Sequence, residues 1–181
     1  MPVFVDLPSV IVVMGVSGAG KTTVGKRLAD RLGWEFIEGD RLHPPENVAK
    51  MKSGQPLDDA DRAPWLAAVA QAIDDCRSRG GHAVVACSAL KQRYRQVIIG
   101  DRPDVRLVYL AGSRARIAER LKARRGHFMP ASLLDSQFAA LEPPAADERP
   151  IIVPVEAPVA TIVEDILAAL PASPGQRGRQ Q

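Results

Sequence analysis

The chain has 181 residues, 46% of them apolar and 25% charged, which is enough for one domain with a substantial core. Its longest apolar runs are far too short to cross a bilayer, so no membrane partner is expected, and the N-terminus has no basic segment followed by an apolar stretch and a cleavage site. The net charge of +3 is mild and its basic excess is local, around Arg114 to Arg125 and in the tail, which suits an anionic substrate without requiring nucleic acid.

Residues 1–9 carry two prolines and read as a short lead-in. Val10 to Met14 is apolar at every position, the pattern of a parallel strand buried on both faces. Gly15-Val16-Ser17-Gly18-Ala19-Gly20-Lys21-Thr22 comes next, then a helical pattern from Thr23 to Leu32 that Gly33 stops. Strand, glycine loop and helix form the context in which G-x-x-x-x-G-K-[ST] is a phosphate-binding P-loop. The glycines let the backbone curl with its N–H groups inward as an anion nest, and the helix adds its positive N-terminal end. Lys21 is placed to reach the β- and γ-phosphates, and the Thr22 hydroxyl to ligate Mg²⁺. The bland alternative is a glycine-rich turn with a chance Lys-Thr, and the agreement of loop and flanks argues against it.

Trp34 to Glu38 reads as a second strand ending at Gly39-Asp40. Ligands of open α/β sheets sit at the carboxyl ends of the strands, so both carboxylates lie where chemistry would happen. Asp40 is the candidate to orient an acceptor hydroxyl and take its proton, and Glu38 to act through the water shell of Mg²⁺. A turn or helix-capping aspartate is the alternative for Asp40. Pro44 or Pro45 can open a short helix that Gly54 closes. Asp61 can cap a long helix from about Arg62 to Arg79, with Leu66, Val69, Ala70 and Ile73 on one face. This polar, proline-containing insertion reads as a substrate-binding segment, in which His43, Lys50 and Arg62 either grip an acidic, hydroxylated substrate or serve as solvated charges and local caps.

His82 to Cys87 is the third strand, followed by Ser88, Lys91, Arg93 and Arg95 just past its end. Ser88 either faces the site or caps a surface helix, and Lys91 or Arg95 can meet substrate or phosphate. Val105 to Leu110 is the fourth strand and Ser113 to Arg125 a helix on which Arg116, Arg120 and Arg124 recur along one face. Three like charges repel there unless a polyphosphate sits opposite some of them, and guanidinium clamps are what a phosphoryl transition state needs. Gly126 to Pro130 breaks the pattern before a further helix from Ala131 to Leu141, and helix, break, helix with arginines at the hinge is how a lid would be written. Ile151 to Val155 is the fifth strand and Pro158 to Leu170 the last helix. The tail of residues 171–181 reads as disordered. Cys76 and Cys87 have no metal or redox spacing and read as free thiols of a reducing cytoplasm. Strands alternating with helices make this an α/β three-layer fold with a parallel sheet of about five strands.

The chain resembles the gluconokinases, P-loop small-molecule kinases related in fold to shikimate kinase. The resemblance is carried by the P-loop, by Gly39-Asp40-Arg41-Leu42-His43-Pro44 with Asn47, Lys50 and Met51, and by Gly54 to Asp59 with Asp61-Arg62 and Pro64-Trp65-Leu66. It continues through Cys87-Ser88-Ala89-Leu90-Lys91 with Tyr94-Arg95, and His127-Phe128-Met129-Pro130 with Ser136-Gln137-Phe138. It implies ATP- and Mg²⁺-dependent phosphorylation of D-gluconate to 6-phosphogluconate by a cytoplasmic homodimer. It implies the strand order 2-3-1-4-5, a single kinase domain over 1–170, a substrate-binding insertion at about 41–66 and a lid at about 120–140. The expected nucleotide site is Gly15 to Thr22, and the expected catalytic residues are Lys21, Asp40, Arg120 and Arg124. Asp40, His43, Lys50, Arg62, Arg95 and His127 are the expected acceptor contacts, with Arg62 and Arg95 at its carboxylate. The alternatives are a kinase of this fold for another small acceptor, such as shikimate, and a non-catalytic nucleotide switch.

Overall fold

The computed structural model describes residues 7–124 and 131–171. Its centre is strand β1 (Val10–Met14), five residues with no exposed surface. Strands β3 (Ala83–Ala86) and β4 (Val105–Ala111) flank β1, and β2 (Glu35–Glu38) and β5 (Ile151–Pro154) close the edges. All four pairings are parallel, in the order β2-β3-β1-β4-β5 that the resemblance implied. The alternation of side chains along β1 feeds two apolar layers. Ile11 and Val13 join Val24 and Leu28 of α1 (Lys21–Leu32), Ile117 of α5 (Arg114–Ala123) and Ile162 and Ile166 of α7 (Val159–Ala169). Val10, Val12 and Met14 join Trp65, Val69 and Ile73 of α3 (Asp59–Ser78) and Tyr94 and Ile98 of α4 (Gln92–Ile98). Helices therefore cover both faces, and every loop that leaves the carboxyl end of a strand opens on the same rim.

Two smaller helices complete the rim: α2 (Pro45–Lys52), with proline at its first position, and α6 (Ala131–Ala140). A 3₁₀ turn, Gly39–Leu42, joins β2 to α2 and carries Asp40. Gly39 has to be glycine, because a Cβ there would lie 2.5 Å from the Ala86 carbonyl oxygen. That close approach presses the Asp40 turn against the end of β3.

The start of α3 differs from its expected place. Asp58, not Asp61, is the N-cap: its side chain accepts from the Asp61 N–H at 2.7 Å, and the Asp61 carboxylate accepts from the Asp58 N–H at 2.9 Å. This reciprocal capping box begins the helix three residues earlier than a cap at Asp61 would, so Pro64 falls inside the helix at its sixth position, with no N–H to give the Ala60 carbonyl. Ser88 is not a helix cap either. Helix α4 starts at Gln92, whose N–H donates to Glu142 Oε2 at 2.7 Å.

Candidate active site

The P-loop wraps from β1 into α1 with Gly18 and Gly20 at positive φ, 84° and 97°. Gly18 is packed as well as bent, since a Cβ there would meet Leu121 of α5 at 2.8 Å. Lys21 folds along the loop and donates from Nζ to the Val16 carbonyl at 3.1 Å. Burial lowers the Lys21 pKa, nearby Asp40 and Glu38 pull it back up, and Arg124 opposes them. These couplings place both carboxylates and the end of α5 within electrostatic reach of the lysine. Thr22 Oγ1 donates to Glu38 Oε2 at 2.5 Å, so the two oxygen-bearing side chains expected at a hard cation already share one spot. Among the described residues no group of three or more His, Cys, Asp or Glu could hold a metal alone.

The arginine row of α5 divides its work. Arg116 pairs with Glu119, and Arg120 donates to the Val155 carbonyl at 3.1 Å while lying beside Gly20 of the P-loop. Arg124 ends the helix near Lys21. Arg120 is thus the one of the three that lies against the phosphate loop.

The facing wall is built from β2, α2 and α3. Trp65 donates its indole N–H to the Gly39 carbonyl at 2.9 Å, which fixes the turn bearing Asp40. His43 stacks on Trp65, with ring centroids 4.3 Å apart and planes 13° from parallel. Arg62 donates to the Leu57 carbonyl at 2.6 Å and lies over the Tyr94 ring, 5.7 Å from its centroid. Asp59 accepts from the Tyr94 hydroxyl, from Lys91 at 3.3 Å and from Arg93, so the basic groups past β3 gather around one carboxylate. Behind this wall Cys87 is buried, and burial together with Asp40 pushes its thiol up to about 12.

Two expected acceptor contacts are placed otherwise. Arg95 is 2% exposed; it donates to the Glu148 carboxylate at 2.6 and 3.2 Å and to the Ala89 and Leu90 carbonyls at 2.9 and 3.1 Å. Its charge and four of its hydrogen bonds are committed to holding the β3–α4 loop on the turn Ala146–Glu148. The expectation of a substrate contact there is corrected to a structural one. Lys50 is likewise drawn to Asp61 at 2.6 Å, an ion pair that ties α2 to α3. His127 lies outside the described residues, as do the break at 126–130 and the tail beyond 171.

One residue at the site was not expected. Gln137, on α6, accepts from the backbone N–H of Ser17 through Oε1 at 2.6 Å and donates to Ser17 Oγ through Nε2 at 2.9 Å. A side-chain amide thus occupies a P-loop N–H across 120 positions of sequence. No local pattern signals it; only its place in the Ser136-Gln137-Phe138 block draws attention to it.

Residues 17–152 match the family model described as "Shikimate kinase". A curated gluconokinase of Gluconobacter oxydans is 52% identical over 160 residues, covering 88% of this chain and 90% of that protein. The thermoresistant gluconokinase of Escherichia coli is 41% identical over 162 residues, covering 87% and 93%. Among solved structures, a gluconokinase from Sinorhizobium meliloti superposes with a TM-score of 0.82 at 48% identity, covering 90% of this chain and 91% of the other.

Proposed function

The chain belongs to the gluconokinases, within the shikimate kinase family, and from that premise we propose that it transfers the γ-phosphoryl group of ATP to the primary hydroxyl of D-gluconate, giving 6-phospho-D-gluconate and ADP. The observation that carries the reading beyond kinship is the meeting of two walls: Thr22, next to Lys21 on the P-loop, donates to Glu38, two residues before Asp40 on its indole-braced turn. The P-loop N–H groups and Lys21 hold the triphosphate. Thr22, with Glu38 behind it, would hold Mg²⁺, which would supply charge neutralisation at the phosphates.

Asp40 accepts a hydrogen bond from the acceptor hydroxyl and takes its proton as the new O–P bond forms and the bond to the β–γ bridging oxygen breaks. Lys21, Arg120 and Arg124 stabilise the charge on the transferring group. Arg62 meets the acceptor carboxylate, with His43 beside it. Residues 41–66 act as the acceptor-binding segment, residues 120–140 as the lid, and 1–170 as one domain. We place the enzyme in the cytoplasm as a homodimer, in keeping with the family resemblance.

Coupled ADP release with ATP, Mg²⁺ and D-gluconate, run beside shikimate, AMP and no acceptor, tests the proposal. Gluconate-dependent turnover is expected. Turnover with shikimate or AMP in its place, or with no acceptor at all, would overturn it.

A further inference from the structure

Among the described residues two polar or charged side chains are buried, Arg95 and Asn47. The bonds of Arg95 to Glu148, Ala89 and Leu90 account for its burial. Asn47 is 4% exposed and lies one helical turn after His43. Its amide nitrogen donates to the Asp61 main-chain carbonyl at 2.8 Å and lies 3.2 Å from His43 Nδ1. A carbonyl only accepts, so reversing the amide would set oxygen against oxygen at Asp61. The NH₂ end of Asn47 therefore faces the ring with its second hydrogen. His43 Nδ1 has to accept, and the proton of the neutral ring has to sit on Nε2. The ring is also held in orientation by its stack on Trp65, whose own N–H is used by Gly39, the residue before Asp40. One indole thus sets both the His43 ring and the Asp40 turn.

From this network we infer that Asn47 is a positioning residue that keeps His43 a neutral Nε2–H donor, and that His43 uses that hydrogen to grip an oxygen of the sugar-acid acceptor beside Asp40. The inference rests on the phosphoryl-transfer reading above and adds to it a residue that selects the acceptor. Charge explains why a neutral donor is needed. An imidazolium beside Asp40 would pair with the carboxylate that has to take the hydroxyl proton, whereas a neutral ring donates a hydrogen bond and leaves that charge free. Burial lowers the His43 pKa, Asp40 on the 3₁₀ turn opposes, and Arg62 on α3 lowers it further. The other groups against the ring, Trp65 and Asn47, are uncharged, and Lys50 and Asp61 behind them pair with each other. Protonating Nδ1 would in addition drive it against the amide hydrogens of Asn47.

Long-range ¹H–¹⁵N correlation of the histidine rings tests the tautomer without any substrate. The chain has three histidines, and His43→Gln identifies the resonances of position 43. The expected spectrum has a bare Nδ1 and a protonated Nε2, persisting to a pH at which a free imidazole is half charged. A protonated Nδ1 at neutral pH would overturn the inference. Kinetics form the second arm. A glutamine amide nitrogen reaches the place of Nε2, and an asparagine nitrogen only that of Nδ1. His43→Gln should keep kcat/KM for gluconate within about tenfold of the parent, and His43→Asn should lose about 100-fold or more, with KM for ATP unchanged in both. Equal losses in the two variants would count against the donor role. Should the parent show no gluconate turnover, the proposed activity fails, while the ring spectrum still decides the tautomer of His43.

Discussion

The two walls of the proposed active site are made of different materials. The nucleotide wall is mainly backbone: a contiguous eight-residue loop, bent at glycines and seated on a buried strand. The acceptor wall is side chains from three separated segments, with Trp65, Asn47 and Arg62 bonded to the main-chain carbonyls of Gly39, Asp61 and Leu57. A backbone site depends on conformation and tolerates many side chains; a side-chain site depends on each partner in turn. The first suits a ligand common to many enzymes, and the second suits one acceptor.

The largest expected effects separate the walls by their kinetics. Asp40→Asn should lower kcat by about 10²–10⁴-fold with KM for ATP near the parent value, since it removes a proton acceptor and no nucleotide contact. Lys21→Ala should lower kcat at least as far and raise KM for ATP as well, with circular dichroism unchanged. If Asp40→Asn turned over normally, the carboxylate would not be the base and the acceptor wall would need another one.

A second expectation concerns the frame beneath the acceptor wall. Arg95→Met leaves Glu148 half-buried without its partner and should cost about 3 kcal/mol in urea denaturation, while KM for gluconate stays the same. A raised KM with unchanged stability would return Arg95 to the substrate. Glu148 also gives the effect a pH signature. Burial pushes its carboxyl up, but the bonds from Arg95 and the Ala145 N–H outweigh that and leave it below its ordinary value. The stability it contributes is therefore full above the unfolded pKa and lost as pH falls through the folded one.

Smaller effects lie at the cap and on the far surface. Asp58→Ala removes the N-cap of α3 and should cost about 1 kcal/mol, read as a lower Tm. Asp74 accepts from Arg102 and Arg77 and is held down to about 2, so acid titration of stability should show a loss that begins below pH 4 and continues toward pH 2. Asp74→Asn should flatten that limb and leave both KM values alone.

How much of this was legible in the sequence follows from the same contrast. The P-loop was readable because its glycines, lysine and threonine are consecutive and flanked by an apolar strand and a helix. Strands β1 and β3 were found within one residue because buried parallel strands are continuous apolar runs. Their order came from family resemblance, as alternation of strands and helices does not set it. The start of α3 was misplaced because Asp58, Asp59 and Asp61 all suit a cap, and only geometry chooses among them. Arg95 looked like a rim residue because a charged side chain three residues into a helix gives no sign that Glu148 comes over to bury it. Gln137 was missed for the plainest reason, that its partner is 120 residues away.

The two cysteines supply a probe that needs no engineering. Both are buried and free, and burial raises both thiols, Cys87 to about 12. In the closed protein neither is a thiolate at neutral pH, so an aromatic disulfide reagent can react only when the chain opens. Cys87 follows β3 directly behind Asp40 and Lys21, whereas Cys76 lies near the end of α3, below the opposite rim. Two labelling rates on one molecule would therefore clock the opening of the catalytic end against that of the base, and nucleotide should slow the first clock more than the second.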